Sequence, residues 1–149
     1  LDEFYQTFEI NFLNQIFFVQ SLLRNIMKTK NGSIIFLSSS AAQDGNIGRA
    51  AYSSSKAALT SFAKVLSREL GSQKIRVNTI SPGLTDTDMM TGSTAKEYLL
   101  DIVKEIPLKR IGKTLDVAKL ILFLSSDLSE YITGQDLRID GGLKWLKKI

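Results

Sequence analysis

The sequence predicts an α/β domain, with parallel strands in one sheet and helices on both faces. Three observations point there. Helical and strand-like segments alternate along the 149 residues. The stretches between successive strands are long enough to hold crossover helices, which parallel pairing requires. The strands are also too apolar for a sheet wetted on one side.

The first element runs from Asp2 to about Lys28 and contains neither glycine nor proline. Phe4, Phe8, Phe12, Ile16 and Leu23 recur at helical spacing, which predicts one long helix. Apolar residues spread round much of its circumference, so cover on more than one side is expected. Asn31–Gly32 is the turn signal that ends it. SIIFLS, 33–38, is a short continuous apolar run of the kind buried on both faces. A glycine-containing loop then leads to a helix from about Tyr52 to Leu70. KIRVNTI, 74–80, is the second strand, stopped by Pro82–Gly83 because proline cannot donate to a ladder. Residues 84–113 read as a loop with a short helical insert. Thr114 reads as a helix N-cap with Asp116 in the first turn, and Val117, Leu120, Ile121 and Leu124 form the apolar face behind it. DLRID, 136–140, is the third strand. No internal repeat or low-complexity tract interrupts this order.

Composition narrows the chemistry. Hydrophobic residues make up 44% and charged residues 23%, which fits a packed domain and excludes disorder. No apolar run approaches the roughly 20 residues that span a membrane. Cysteine and histidine are both absent. Disulfides, thiol nucleophiles, histidine-based triads and nearly all zinc sites are thereby excluded, and no metal site is expected. The net charge of +4 includes a basic tail, KWLKKI, at 144–149, which reads as a solvated end. No basic patch interleaved with aromatics supports nucleic-acid binding.

Three strands are few for such a sheet, and the run at 33–38 would present an unpaired apolar edge. The chain also starts at Leu1, directly in helical sequence. It therefore reads as the C-terminal part of a larger fold.

One segment carries a candidate chemistry. In RAAYSSSKAAL, 49–59, Tyr52 and Lys56 stand four apart, one above the other on a helix face. A free phenol ionises near pH 10 or so, too high for a ready proton shuttle at neutral pH. An ammonium one helical turn away favours the phenolate, and Tyr52 could then give a proton to a carbonyl oxygen or take one from an alcohol. The spacing alone is equally that of an exposed surface pair. The intervening Ser53, Ser54 and Ser55 read as small spacers that let a ligand approach. Ser39 lies thirteen residues before Tyr52, at the C-terminal end of a buried strand, where open α/β sheets place ligands. Its hydroxyl could bond the same substrate oxygen, although Ser38, Ser39 and Ser40 are also ordinary turn residues.

Taken together, IIFLSSS, Tyr52-x-x-x-Lys56, RVNTISPGLTDTDM, IPLKRIG and YITGQDLRIDGG resemble the short-chain dehydrogenase/reductases. Within that family the chain looks most like the 3-oxoacyl-carrier-protein reductase group. The resemblance implies a Rossmann-like parallel sheet whose N-terminal strands and glycine-rich turn lie outside residues 1–149. None of the ten glycines here forms that turn. It implies Tyr52 as catalytic acid/base, Lys56 as its electrostatic partner and the holder of the nicotinamide ribose, and Ser39 as the substrate-orienting serine. It implies Asn11 as the residue that fixes a water in the proton relay. On periodicity alone, Asn11 belongs to a polar stripe with Thr7, Asn14, Ser21, Asn25 and Lys28 and reads as a solvated face. Pro82, Gly83, Leu84, Thr85 and Thr87 match the family's nicotinamide-binding loop, so NAD or NADP is the implied cofactor. Residues 91–106 match a substrate lid, which closes to exclude water.

The expected partners are a small carbonyl or alcohol substrate, including a carrier-linked thioester, and further copies of the chain in a homodimer or homotetramer. A cytoplasmic location follows from the same resemblance. Lys28, Lys30, Lys64 and Lys109 could receive an acidic carrier protein, or be ordinary surface. The competing reading is a truncated, non-catalytic assembly module of the same fold, held together through its two long helices.

Overall fold

The computed structural model describes residues 1–29, 31–87 and 96–143. The tail at 144–149, Lys30 and the first part of the expected lid lie outside the described residues.

The long N-terminal helix forms, but not as one regular rod. Helix α1 (Asp2–Phe8) passes into a π-helical turn (Glu9–Leu13) and then into α2 (Asn14–Lys28). Strand β1 (Ser33–Leu37) follows, then a single-turn helix α3 (Ala41–Asp44) and the long α4 (Ala50–Leu70). Helix α4 starts two residues before Tyr52, so the tyrosine sits within its first turn. Strand β2 (Arg76–Pro82) is buried almost throughout. Two-residue strands β3 (Thr85–Asp86) and β4 (Gly112–Lys113) pair with each other, flanking α5 (Lys96–Glu105). Helix α6 (Thr114–Ser125) and strand β5 (Asp136–Ile139) complete the order. Thr114 is the first helical residue of α6 rather than its cap. The Asp116 carboxylate instead accepts the Lys113 N–H at 2.8 Å.

The main sheet runs β1-β2-β5, with every pairing parallel. Side chains alternate across it. Ile34, Phe36 and Val77 point to α4 and pack with Leu59, Ala63 and Leu66. Phe62 bridges the layers, edge-on to Phe12 of the π turn at 6.1 Å and to Phe36 of β1 at 6.0 Å. The opposite face is covered by α6. There the buried Arg76 donates to the Leu124 carbonyl at 2.8 Å and the Ser126 carbonyl at 3.2 Å, at the helix C-terminus. That end of a helix dipole favours a cation, so the guanidinium is held by carbonyls rather than by a carboxylate. Helices on both faces of a parallel sheet are what the sequence predicted.

One expectation is met on one side only. Phe12, Val19, Leu23 and Ile26 pack into the core, whereas Tyr5, Ile10, Phe17 and Phe18 remain exposed. Helix α4 and the core of the sheet cover the side that carries Phe12, Val19, Leu23 and Ile26.

Candidate functional site

The parallel ladder continues past the end of β1. The Ser38 N–H donates to the Ile80 carbonyl at 2.8 Å and the Ser40 N–H to the Pro82 carbonyl at 2.9 Å. Ser39 is therefore held between two anchored neighbours, at the C-terminal ends of β1 and β2. Its Oγ accepts the Ala41 N–H at 3.2 Å and so starts α3. Ser38 is more than a turn serine. It is buried, and its hydroxyl donates to the Lys56 carbonyl at 3.0 Å while accepting from Thr60 at 3.0 Å. These bonds fix the start of α4 against the strand end.

On α4, Tyr52 and Lys56 are both half-buried. The Lys56 ammonium donates to the Leu37 carbonyl at 2.9 Å, so the side chain lies over the end of β1 rather than in solvent. Burial pulls its pKa below the ordinary lysine value by penalising the charged form.

Asn11 lies in the π turn, a feature that recurs at functional sites because it interrupts the regular ladder. Its Nδ2 donates to Ser55 Oγ at 3.2 Å, and Ser55 in turn donates to the Tyr52 carbonyl at 2.8 Å. The spacer reading is therefore wrong for Ser55. It is fully buried and joins Asn11 to the turn that carries Tyr52. Three positions after Tyr52 on a helix, it faces α1–α2, not a ligand. Ser54 does stay exposed, its hydroxyl turned back to the Ala50 carbonyl at 2.6 Å. The polar stripe divides in the same way: Asn11 faces α4, while Asn14, Ser21 and Asn25 are exposed. No periodicity could have found the Asn11–Ser55 contact, since 44 positions separate the two residues.

The Pro82 loop is built by close approach. The Gly83 N–H donates to the Ile139 carbonyl at 3.0 Å, and a Cβ at Gly83 would stand 2.5 Å from Asp140 Cβ. Only glycine fits there. Thr85 pairs with Gly112, and its hydroxyl donates to the Gly83 carbonyl at 3.2 Å. Thr87 is exposed. Within the expected lid, 91–95 lie outside the described residues; Ile102 of α5 and Ile106, just after it, pack against Leu84 and Leu143.

The structure thus brings Asn11, Ser39, Tyr52 and Lys56 to one end of the sheet, with Pro82 and Gly83 at the end of the adjoining strand. The residues that hold them (Ser38, Ser55 and the Leu37 carbonyl) carried no sequence signal of their own.

The family model described as enoyl-(acyl carrier protein) reductase matches residues 1–144. The 3-oxoacyl-(acyl-carrier-protein) reductase FabG of Chlamydia trachomatis serovar D is 44% identical over 123 residues, covering 83% of this chain and 49% of its own length. A short-chain type dehydrogenase/reductase from Mycobacterium ulcerans superposes with a TM-score of 0.90 at 32% identity, covering 95% of this chain and 52% of that one. A 7-alpha-hydroxysteroid dehydrogenase, solved with NADH and 7-oxo glycochenodeoxycholic acid, superposes with a TM-score of 0.92 at 31% identity, covering 98% and 58%. The chain spans about half the length of these relatives.

Proposed function

Since the chain belongs to the short-chain dehydrogenase/reductase family, we propose that it is the C-terminal catalytic part of an NAD- or NADP-dependent oxidoreductase that interconverts a carbonyl and an alcohol. The observation that carries this reading is the placement of Tyr52 and Lys56. They lie one turn apart on α4, with the ammonium drawn over the end of β1 onto the Leu37 carbonyl, two residues before Ser39.

The nicotinamide, when bound, supplies or accepts the hydride. The chain's own groups fit such a ligand. An ammonium has three donors; one goes to Leu37, which leaves two for ribose hydroxyls. The same positive charge stabilises negative charge developing on the Tyr52 oxygen as the proton moves. Ser39 would bond the substrate oxygen and steady it for Tyr52. Asn11, anchored on Ser55, would extend the proton relay toward Lys56. Pro82, Gly83, Thr85 and Thr87 would hold the nicotinamide end.

The FabG relative makes a 3-oxoacyl thioester on a carrier protein the first substrate to try. Docking of that carrier through lysines has thin support. Lys109 is tied back to the Lys104 carbonyl at 2.5 Å, and Lys28 and Lys64 sit on separate helices. Among the described residues, no helix is long and apolar enough to cross a membrane. A cytoplasmic homodimer or homotetramer is the proposed setting.

A second reading, an assembly module without catalysis, draws on the exposed Tyr5, Ile10, Phe17 and Phe18 of the first helix. The two are separated by one experiment on the intact protein. Tyr52→Phe should lower nicotinamide-coupled carbonyl reduction by about 10²–10⁴-fold, with melting and cofactor binding unchanged. Near-normal turnover in that variant overturns the mechanism. A protein that assembles but binds no dinucleotide favours the module.

A further inference from the structure

Outside the Tyr52 cluster, the densest polar assembly among the described residues centres on Arg138 of β5. Its guanidinium grips Asp44 with both arms, Nη1 to Oδ1 at 2.7 Å and Nη2 to Oδ2 at 2.7 Å. Its Nε donates to Asp140 Oδ2 at 2.7 Å. Nη1 also reaches Gln43 Oε1 at 3.2 Å, and Nη2 reaches the Leu143 carbonyl at 3.1 Å. Gln43 extends the assembly to Asp136 at 2.6 Å, whose other oxygen accepts the Ser81 hydroxyl at 2.6 Å.

The partners are the telling part. Asp44 is the last residue of α3, the single turn that begins directly after Ser39 and Ser40. The other end of that turn is pinned by the Ser40 N–H on the Pro82 carbonyl. Asp140 is the residue whose Cα and Cβ leave no room for a side chain at Gly83. One planar cation therefore grips the segment that carries Ser39 and the residue that backs the Pro82–Gly83 loop. An exposed ion pair contributes little, but the side chains here are only 26% exposed for Arg138, 22% for Asp44 and 10% for Asp140. A two-armed fork also fixes direction as well as distance, which a lysine cannot do.

We propose that Arg138 is a positioning residue that sets the separation between the substrate-side turn after Ser39 and the nicotinamide-side loop at Gly83. The inference rests on the reading of Ser39 and Gly83 given under the proposed function. Misplacing a reacting group by about 1 Å can cost up to about 100-fold in rate, so a joint shared by two loops is exposed to small changes in its shape.

The test compares Arg138→Lys, Asp44→Asn and Tyr52→Phe in the intact protein, measuring carbonyl kcat/KM, cofactor Kd and melting temperature. Arg138→Lys keeps the charge and loses the fork. It should lower kcat/KM about tenfold and raise cofactor Kd several-fold, with little change in melting. Asp44→Asn loosens only the Ser39 side, and should lower kcat/KM with cofactor Kd unchanged. A purely structural role would move melting and leave no such split between the two variants. If Tyr52→Phe is inactive while both joint variants keep normal kcat/KM and Kd, the inference fails and the functional reading stands. If Tyr52→Phe retains full turnover, the functional reading fails and the inference falls with it.

Discussion

Replacing Gly83 with alanine probes the junction of β2 and β5 directly. The added methyl would stand 2.5 Å from Asp140 Cβ and 2.8 Å from Asp140 Cα, whereas carbon atoms in contact sit about 3.5–4.0 Å apart. The shortfall is about 1 Å, and it falls on atoms at or next to the backbone, not on a flexible tip. Neither side can yield freely. Gly83 donates to the Ile139 carbonyl at 3.0 Å, and Asp140 is held by Arg138 at 2.7 Å. Overpacking of this kind costs about 1–3 kcal/mol. For a chain of this size, that corresponds to a fall in melting temperature of about 2–12 °C. The displaced loop carries Pro82 and Thr85, so cofactor Kd should rise about tenfold or more in titration calorimetry. An unchanged melting temperature would refute the packing argument. A lowered melting temperature with unchanged Kd would refute the placement of the nicotinamide on this loop.

Two further outcomes are expected. Asn78 is fully buried, donating to the Ile132 carbonyl at 2.8 Å and accepting the Gln135 N–H at 3.0 Å. Asn78→Ala strands both backbone groups and should cost about 2–4 kcal/mol in urea unfolding, and a loss below about 1 kcal/mol would count against it. The Arg110 fork and the Lys113 N–H hold the Asp116 carboxyl at about 2, below its ordinary 3.8. Because the folded value is the lower one, this contribution is complete above pH 3.8 and is lost as pH falls toward about 2. Asp116→Asn should therefore melt below the parent at pH 7, with the gap closing across that acid window; a gap that ignores pH would sink the assignment.

The three strands of the main sheet could be read from the sequence within a residue or two, because each is a short segment with apolar residues at its centre, ended by a turn or by proline. Tyr52 and Lys56 were readable for a similar reason: their relation is local, one helical turn. What could not be read depends on distant pairs. Ser55 looks like a spacer until Asn11, on another helix, is laid against it. The π turn leaves no trace in the apolar spacing, since Phe4, Phe8 and Phe12 keep the four-residue step of an ordinary helix. The two-residue strands Thr85–Asp86 and Gly112–Lys113 exist only through each other, across a long insert. Thr114 has the residue type of a cap, yet it is the first helical residue, and the Asp116 carboxylate accepts the Lys113 N–H from inside the first turn.

The π turn also makes chain length count in a particular way. A regular helix shortened by one residue loses 1.5 Å or so and turns everything upstream by about 100°. Phe4 and Phe8 stack at 5.1 Å, and Phe8 meets Phe12 edge-on at 6.4 Å across the turn. Because a π turn holds one residue more than a regular turn, a deletion within Glu9–Leu13 that restored regular winding would leave that aromatic ladder near its present face, whereas the same deletion in the regular winding of α2 would swing it away from α4. In this segment the number of residues is as much a part of the information as their identity.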